Sequence, residues 1–139
     1  MISAIYATPR VLDALREVLA AVTGITGIYT EGSVPDSARS DYLVIGPFTE
    51  RPDNTMGDGR RWGSELTTTI KLVTMNPNIG VCFGIIEQVI GLLNGEPLTV
   101  EDYSAGMATL DLSLDTYTEL VSGQKVWHYG TLWNVLVHQ

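Results

Sequence analysis

Two long runs of alternating residues flank Ser122-Gly123, and no other feature limits the fold of this chain as tightly. A two-residue turn at that point pairs positions whose numbers sum to 245. That register sets Ala108, Leu110, Leu112 and Leu114 beside Val137, Val135, Trp133 and Thr131, so one face is almost wholly apolar. The other face pairs Asp111 with Asn134, Asp115 with Gly130 and Tyr117 with His128, and is mostly polar. A slip of one residue would mix the two faces, so the pairing is strongly specified. The chain must therefore contain an antiparallel hairpin with one face covered and one face open.

The remaining elements follow from periodicity. After Thr8-Pro9, a cap followed by a first-turn proline, apolar residues at Val11, Leu12, Leu15, Val18, Leu19 and Val22 form the stripe of an amphipathic helix ending at Gly24. Ile28-Tyr29 begins a short strand, and 42–45 is a second one, bounded by Asp41 and Gly46. Residues 47–59 carry two prolines, two glycines and the charges of Glu50, Arg51, Asp53 and Asp58, and read as the longest loop. From 60 to 75 the period is two, with Trp62, Leu66, Ile70 and Leu72 on one face and Arg61, Glu65, Thr67, Thr69 and Lys71 on the other. Asn76-Pro77 then opens a helix with Val81, Ile85, Ile86, Val89, Ile90 and Leu93 at helical spacing, ending at Asn94-Gly95. Gly80, Gly84 and Gly91 share one side of it, a pattern suited to close packing against a sheet or a neighbouring chain. A short strand leads into the hairpin. The expected architecture is α+β over one domain, 1–139. It is an antiparallel sheet with two helices on one face, plus a long extended loop or hairpin at about 47–61.

Composition narrows the function. Sixteen acidic residues against eight basic ones give a formal charge of −8, which lacks the basic footprint of a nucleic-acid reader and suits neither anionic membranes nor phosphate ligands. No apolar run approaches the ~20 residues of a membrane span, and Met-Ile-Ser-Ala-Ile-Tyr lacks the basic and apolar regions of a signal peptide, so a soluble intracellular protein is expected. Only 17% of residues are charged, against a usual ~25%, which hints at surface covered by partners. Catalytic and metal chemistry find no constellation. His128 and His138 stand ten residues apart on one expected strand, ~30 Å at strand rise, too far to share a metal. Cys82, the one cysteine, sits in an apolar helix with no cation or histidine adjacent to lower its pKa. Residues 56–59 are glycine-rich but lack the phosphate-loop pattern and precede a strand. Trp62, Trp127 and Trp133, without positive charge around them, suit a core or a protein interface better than base stacking. No enzyme, cofactor or metal is expected.

The element order resembles that of the tail terminator, or tail completion, proteins of long-tailed bacteriophages and prophages. The resemblance is carried by the first amphipathic helix, Gly27-Ile28-Tyr29, then Tyr42-Leu43-Val44-Ile45-Gly46, and a polar loop entering a long strand at Trp62. It continues with a helix ending in Leu92-Leu93-Asn94-Gly95-Glu96-Pro97-Leu98, and the final hairpin with Trp127-His128-Tyr129-Gly130-Thr131-Leu132. It implies a virion protein, made in the host cytoplasm, that assembles as a hexameric ring on the head-proximal end of the tail tube. Its partners would be copies of itself, the tail tube protein and a head–tail connector or stopper, with DNA only passing through the lumen.

Two groups of residues are the candidates for such work. Arg51, Asp53, Asp58, Arg60, Arg61 and Trp62, in and beside the long loop, combine mixed charge with a large aromatic and suit a segment ordered on docking to a partner. Asp111, Asp115 and Glu119, on one face of one expected strand, are candidates for an acidic channel lining that keeps DNA from sticking. The competing readings are another neck component, such as a head–tail stopper, and, from a different class, a small-ligand-binding α+β domain.

Overall fold

A computed structural model describes residues 6–36, 38, 41–53 and 63–139. The elements run α1 (Thr8–Leu19), β1 (Gly27–Thr30), β2 (Tyr42–Asp53), β3 (Gly63–Thr74), α2 (Ile79–Leu93), β4 (Ala105–Ser113), β5 (Tyr117–Val121) and β6 (Gln124–His138). They build a six-stranded mixed sheet in the order β1-β2-β3-β6-β4, with β5 also paired to β6. The α+β class holds. The all-antiparallel expectation does not, because β1 runs parallel to β2, Gly27 opposite Tyr42. The other pairings are antiparallel.

Alternation along the strands divides the sheet into two sets of residues. Leu43 and Ile45 of β2, Leu66, Ile70 and Leu72 of β3, and Tyr129, Trp133, Val135 and Val137 of β6 join one buried cluster. The same cluster takes in Val11, Leu15 and Leu19 of α1 and Cys82, Ile85, Ile86, Val89 and Leu93 of α2. Trp133 is fully buried, and its indole N–H donates to the Thr131 hydroxyl at 2.7 Å, which in turn donates to the Ile70 carbonyl at 2.7 Å. That relay lets a large aromatic lie at the centre without an unpaired donor. The intervening residues, such as Thr67, Thr69 and Lys71 of β3 and Leu132, Asn134 and Leu136 of β6, form the second set, here called the open face.

Local chemistry explains most element ends. α2 starts at Asn78, whose side chain accepts from the Val81 N–H at 3.2 Å, and stops before Gly95, whose φ is +73°. α1 is shorter than the stripe predicts, ending at Leu19, and its N-cap is Ala7, which has no side-chain cap. The cap comes from Glu50 in β2. Its carboxylate accepts from the Ala7 N–H at 3.0 Å, the Thr8 N–H at 2.9 Å, the Thr8 hydroxyl at 2.7 Å and the Ser64 hydroxyl at 2.8 Å. A carboxylate suits that place because it faces the positive end of the helix dipole.

Three further expectations are corrected. The segment read as a loop from 47 is strand through Asp53; β2 passes Pro47 by a register shift between Ile45 and Phe48, where Gly46 has a φ of +109°. The short strand before the hairpin is reduced to isolated bridges, Asn94 with Ala108 and Pro97 with Met107. Gly80, Gly84 and Gly91 do not pack against the sheet: a Cβ at Gly80 would meet only the Asn78 side chain, at 3.3 Å, and one at Gly84 or Gly91 no atom within 4 Å, which leaves the other expectation, a neighbouring chain.

Candidate assembly interface

The hairpin turn is as the sequence predicts. Ser122 and Gly123 both take positive φ, +51° and +79°, and β5 pairs with β6 in the expected register, Tyr117 opposite His128 and Val121 opposite Gln124. Beyond β5 the register departs from expectation. Ala108, expected beside Val137, lies opposite Val135, and Leu110, expected beside Val135, lies opposite Trp133; Leu112 lies opposite Leu132, so Asp111 is an extra residue absorbed by a bulge. The strand then breaks over residues 114–116.

This bulge changes which way the leucines point. In a regular strand Leu110, Leu112 and Leu114 would share one face. Here Leu110 packs against the core cluster. Leu112 falls to the open face beside Leu132, and Leu114 lies over Gly130 on that same face, where a Cβ at Gly130 would meet its Cδ1 at 3.0 Å. Both leucines are exposed. With Met107 opposite Leu136, also exposed, they make an apolar stripe along β4 and β6. The stripe runs up to Tyr117, which stacks on the His128 ring with centroids 4.3 Å apart and planes 4° apart.

The three acidic candidates are exposed, but they do not lie on one regular strand. Asp111 is the bulge residue and Asp115 lies in the break; Asn134, expected opposite Asp111, pairs with Thr109. The Glu119 carboxylate meets His128 Nε2 at 2.8 Å, with the histidine side chain 8% exposed. The Lys71 ammonium donates to the Tyr117 hydroxyl at 3.4 Å. Burial, then the negative charge of Glu119 and the nearby Tyr29, pushes the Tyr42 phenol above its ordinary pKa. This aromatic and charged group at the base of the hairpin is only partly legible in sequence. The turn gives the Tyr117–His128 pair and places Glu119 diagonally beside His128, whereas the approach of Lys71 and Tyr42 from β3 and β2 depends on how the hairpin sits on the sheet.

The basic and aromatic candidates are less fully placed. Arg51 is exposed on β2 and bridges Glu65 of β3 at 3.3 Å. Asp53 closes β2, opposite Gly63. Asp58, Arg60, Arg61 and Trp62 lie outside the described residues.

Among the described residues, no group of three or more His, Cys, Asp or Glu side chains is placed to hold a metal ion. A depression of about 510 Å³ is an open groove bounded by Val34, Tyr42, Met75, Glu119, Val121 and Val126. Cys82 is buried, its thiol 3.5 Å from the Asn76 carbonyl. No helix of the described residues is long and apolar enough to cross a membrane.

A second exposed apolar group lies at the start of α2: Met75, Ile79, Val81 and Phe83, the last in edge-to-face contact with Tyr129. Apart from Tyr6 and the hairpin residues Leu120 and Val121, it and the stripe account for the exposed large hydrophobic side chains among the described residues.

No protein-family model matches the chain, and no curated protein does. The fold has a match among solved structures. A chain in the virion of a native gene transfer agent particle superposes with a TM-score of 0.67 at 18% identity, over 98% of this chain and 100% of the other. At that identity the two chains share a fold.

Proposed function

We propose that this chain is a structural, non-enzymatic virion protein that closes as a hexameric ring on the head-proximal end of a phage tail tube. There it ends tube polymerisation and offers a surface to the head–tail connector or stopper. The observation that carries this reading is the fold likeness to a gene transfer agent virion chain, which spans nearly all of both molecules. The order of elements resembling tail terminators supports it. So do the two exposed apolar groups, one on the open face and one at the start of α2, which offer surface to a partner.

In this reading the acidic Asp111, Asp115 and Glu119 lie towards the lumen and repel passing DNA. The segment between β2 and β3, preceded by Arg51 and Asp53 and carrying Asp58, Arg60, Arg61 and Trp62 in its sequence, docks on the tube or the connector. The protein assembles in the host cytoplasm and resides in the virion, with no membrane partner.

The test is co-purification. The protein is expected to bring down tail tube protein, and a stopper would instead bring down the portal–adaptor complex. Recovery with the adaptor and never with the tube would overturn the terminator assignment.

A further inference from the structure

We infer that copies of this chain join head to tail, the β4–β6 stripe of one seating the α2 shoulder of the next. The inference rests on the ring proposed above and specifies its interface.

The two patches use opposite sets of residues. The stripe is built from even-numbered positions of β6, Leu132 and Leu136, with Met107, Leu112 and Leu114 of the neighbouring chain segment. The shoulder belongs to the helix whose buried side joins the odd-numbered set, Tyr129, Trp133 and Val135. A patch on one side of the sheet and a different patch on the other cannot meet in a two-fold contact of identical surfaces. They can meet in a heterologous contact, the type that closes rings.

Their sizes match each other and the need. Met107, Leu112, Leu114, Tyr117 and Leu136 are 42, 45, 39, 50 and 54% exposed. At roughly 180 Å² for a fully exposed side chain of this size that is about 400 Å². Met75, Ile79, Val81 and Phe83 leave on the order of 350 Å² by the same reckoning. A stable interface covers ~800 Å² per partner, a little over half of it apolar, or roughly 450 Å². Each patch therefore supplies most of one side.

The bulge at Asp111 gives the stripe a structural cause. Without it Leu112 and Leu114 would turn towards the core, and the open face would keep only Met107, Leu132 and Leu136 beside Tyr117. On the shoulder, Gly80 and Gly84 stand between Ile79, Phe83 and Val81, so a neighbour can approach the helix backbone closely.

The test uses two single-cysteine variants, Leu112→Cys and Ile79→Cys, the native Cys82 being buried. They are mixed and treated with a short bis-maleimide linker, both free in solution and bound to tail tubes. The expected products link one variant to the other, with little linking of either variant to itself. The charged pair Leu112→Asp/Leu136→Asp and the pair Ile79→Asp/Val81→Asp should each weaken self-association by about tenfold or more while leaving the melting temperature close to wild type. A mixture of those two double variants should recover two-chain complexes, since one intact junction remains, but no rings. Linking of Leu112→Cys only to itself overturns the inference. Rings on tubes with no link between the variants overturn it while leaving the proposed function standing; absence of both rings and links overturns both.

Discussion

Glu50 offers the sharpest energetic prediction, because one side chain holds the start of α1 to β2 and β3. Its carboxylate accepts from two backbone N–H groups of the first turn and from the hydroxyls of Thr8 and Ser64. Ala7 and Ser64 are buried, so water cannot fully replace these bonds. Loss of an N-cap costs about 1–2 kcal/mol, and leaving buried donors unpaired adds about 1–2 kcal/mol. Glu50→Ala should therefore destabilise the protein by about 3 kcal/mol, and Glu50→Gln by about half as much, since its amide offers one acceptor oxygen to four donors. For a chain of 139 residues, 3 kcal/mol corresponds to a fall in Tm of about 10 °C. Urea unfolding followed by far-UV circular dichroism reads the difference directly. Arg51→Ala, next in sequence, removes only an exposed ion pair with Glu65 and should stay within about 0.5 kcal/mol of wild type. If Glu50→Ala and Arg51→Ala unfold at the same urea concentration, the capping argument is wrong.

Other outcomes follow from the same structure. Thr131→Val leaves the Trp133 indole N–H buried without an acceptor and should cost about 1–3 kcal/mol in urea unfolding. Gly63→Ala would drive a Cβ into the Val137 carbonyl oxygen, forcing β3 away from β6, and is expected to lower Tm by several degrees in calorimetry. Tyr42 and Tyr129 both have raised pKa values, the first from burial and Glu119, the second from burial and then Cys82. The folded state therefore holds those protons more tightly than the unfolded chain. Their contribution to stability is full below the ordinary tyrosine pKa of about 10 and is lost as pH climbs beyond it. A melting temperature that is flat or rising above that pH would contradict the assignment. Deleting residues 54–58 spares Glu50 and should abolish docking to tubes without loss of fold; normal assembly would show that the arm makes no contact. If Asp111, Asp115 and Glu119 line the lumen as proposed, replacing them by Lys should slow DNA passage, and undiminished ejection would refute that proposal.

The sequence is most legible where the determinants of structure are local. Ser122-Gly123 names its own turn type, and the register of β5 on β6 follows from it. The helix stripes identify most core-facing residues of α1 and α2, although Val81, read into the second stripe, is exposed and Cys82 is buried instead, and Asn78 and Gly95 stand where α2 begins and ends. Reading fails where the partner is distant or the irregularity is silent. Glu50 looks like a loop charge because the groups it caps lie 42 and 43 residues away. Pro47 reads as a strand breaker, yet β2 accommodates it through an irregularity, as strands do. The sequence Leu110-Asp111-Leu112-Ser113-Leu114 alternates without fault, so nothing local announces that Asp111 is an extra residue. That one misplacement moves two leucines from the expected core to the open face, and with them the surface on which the assembly argument turns.

A molecule that caps a tube by joining copies of itself must be found at the tube's end. The direct measurement is electron microscopy of gold-tagged protein incubated with tail tubes. A ring of density is expected at one end of each tube, and such tubes should no longer lengthen when tube protein is added. Label scattered along the tube walls, or absent while the tubes keep growing, would contradict it.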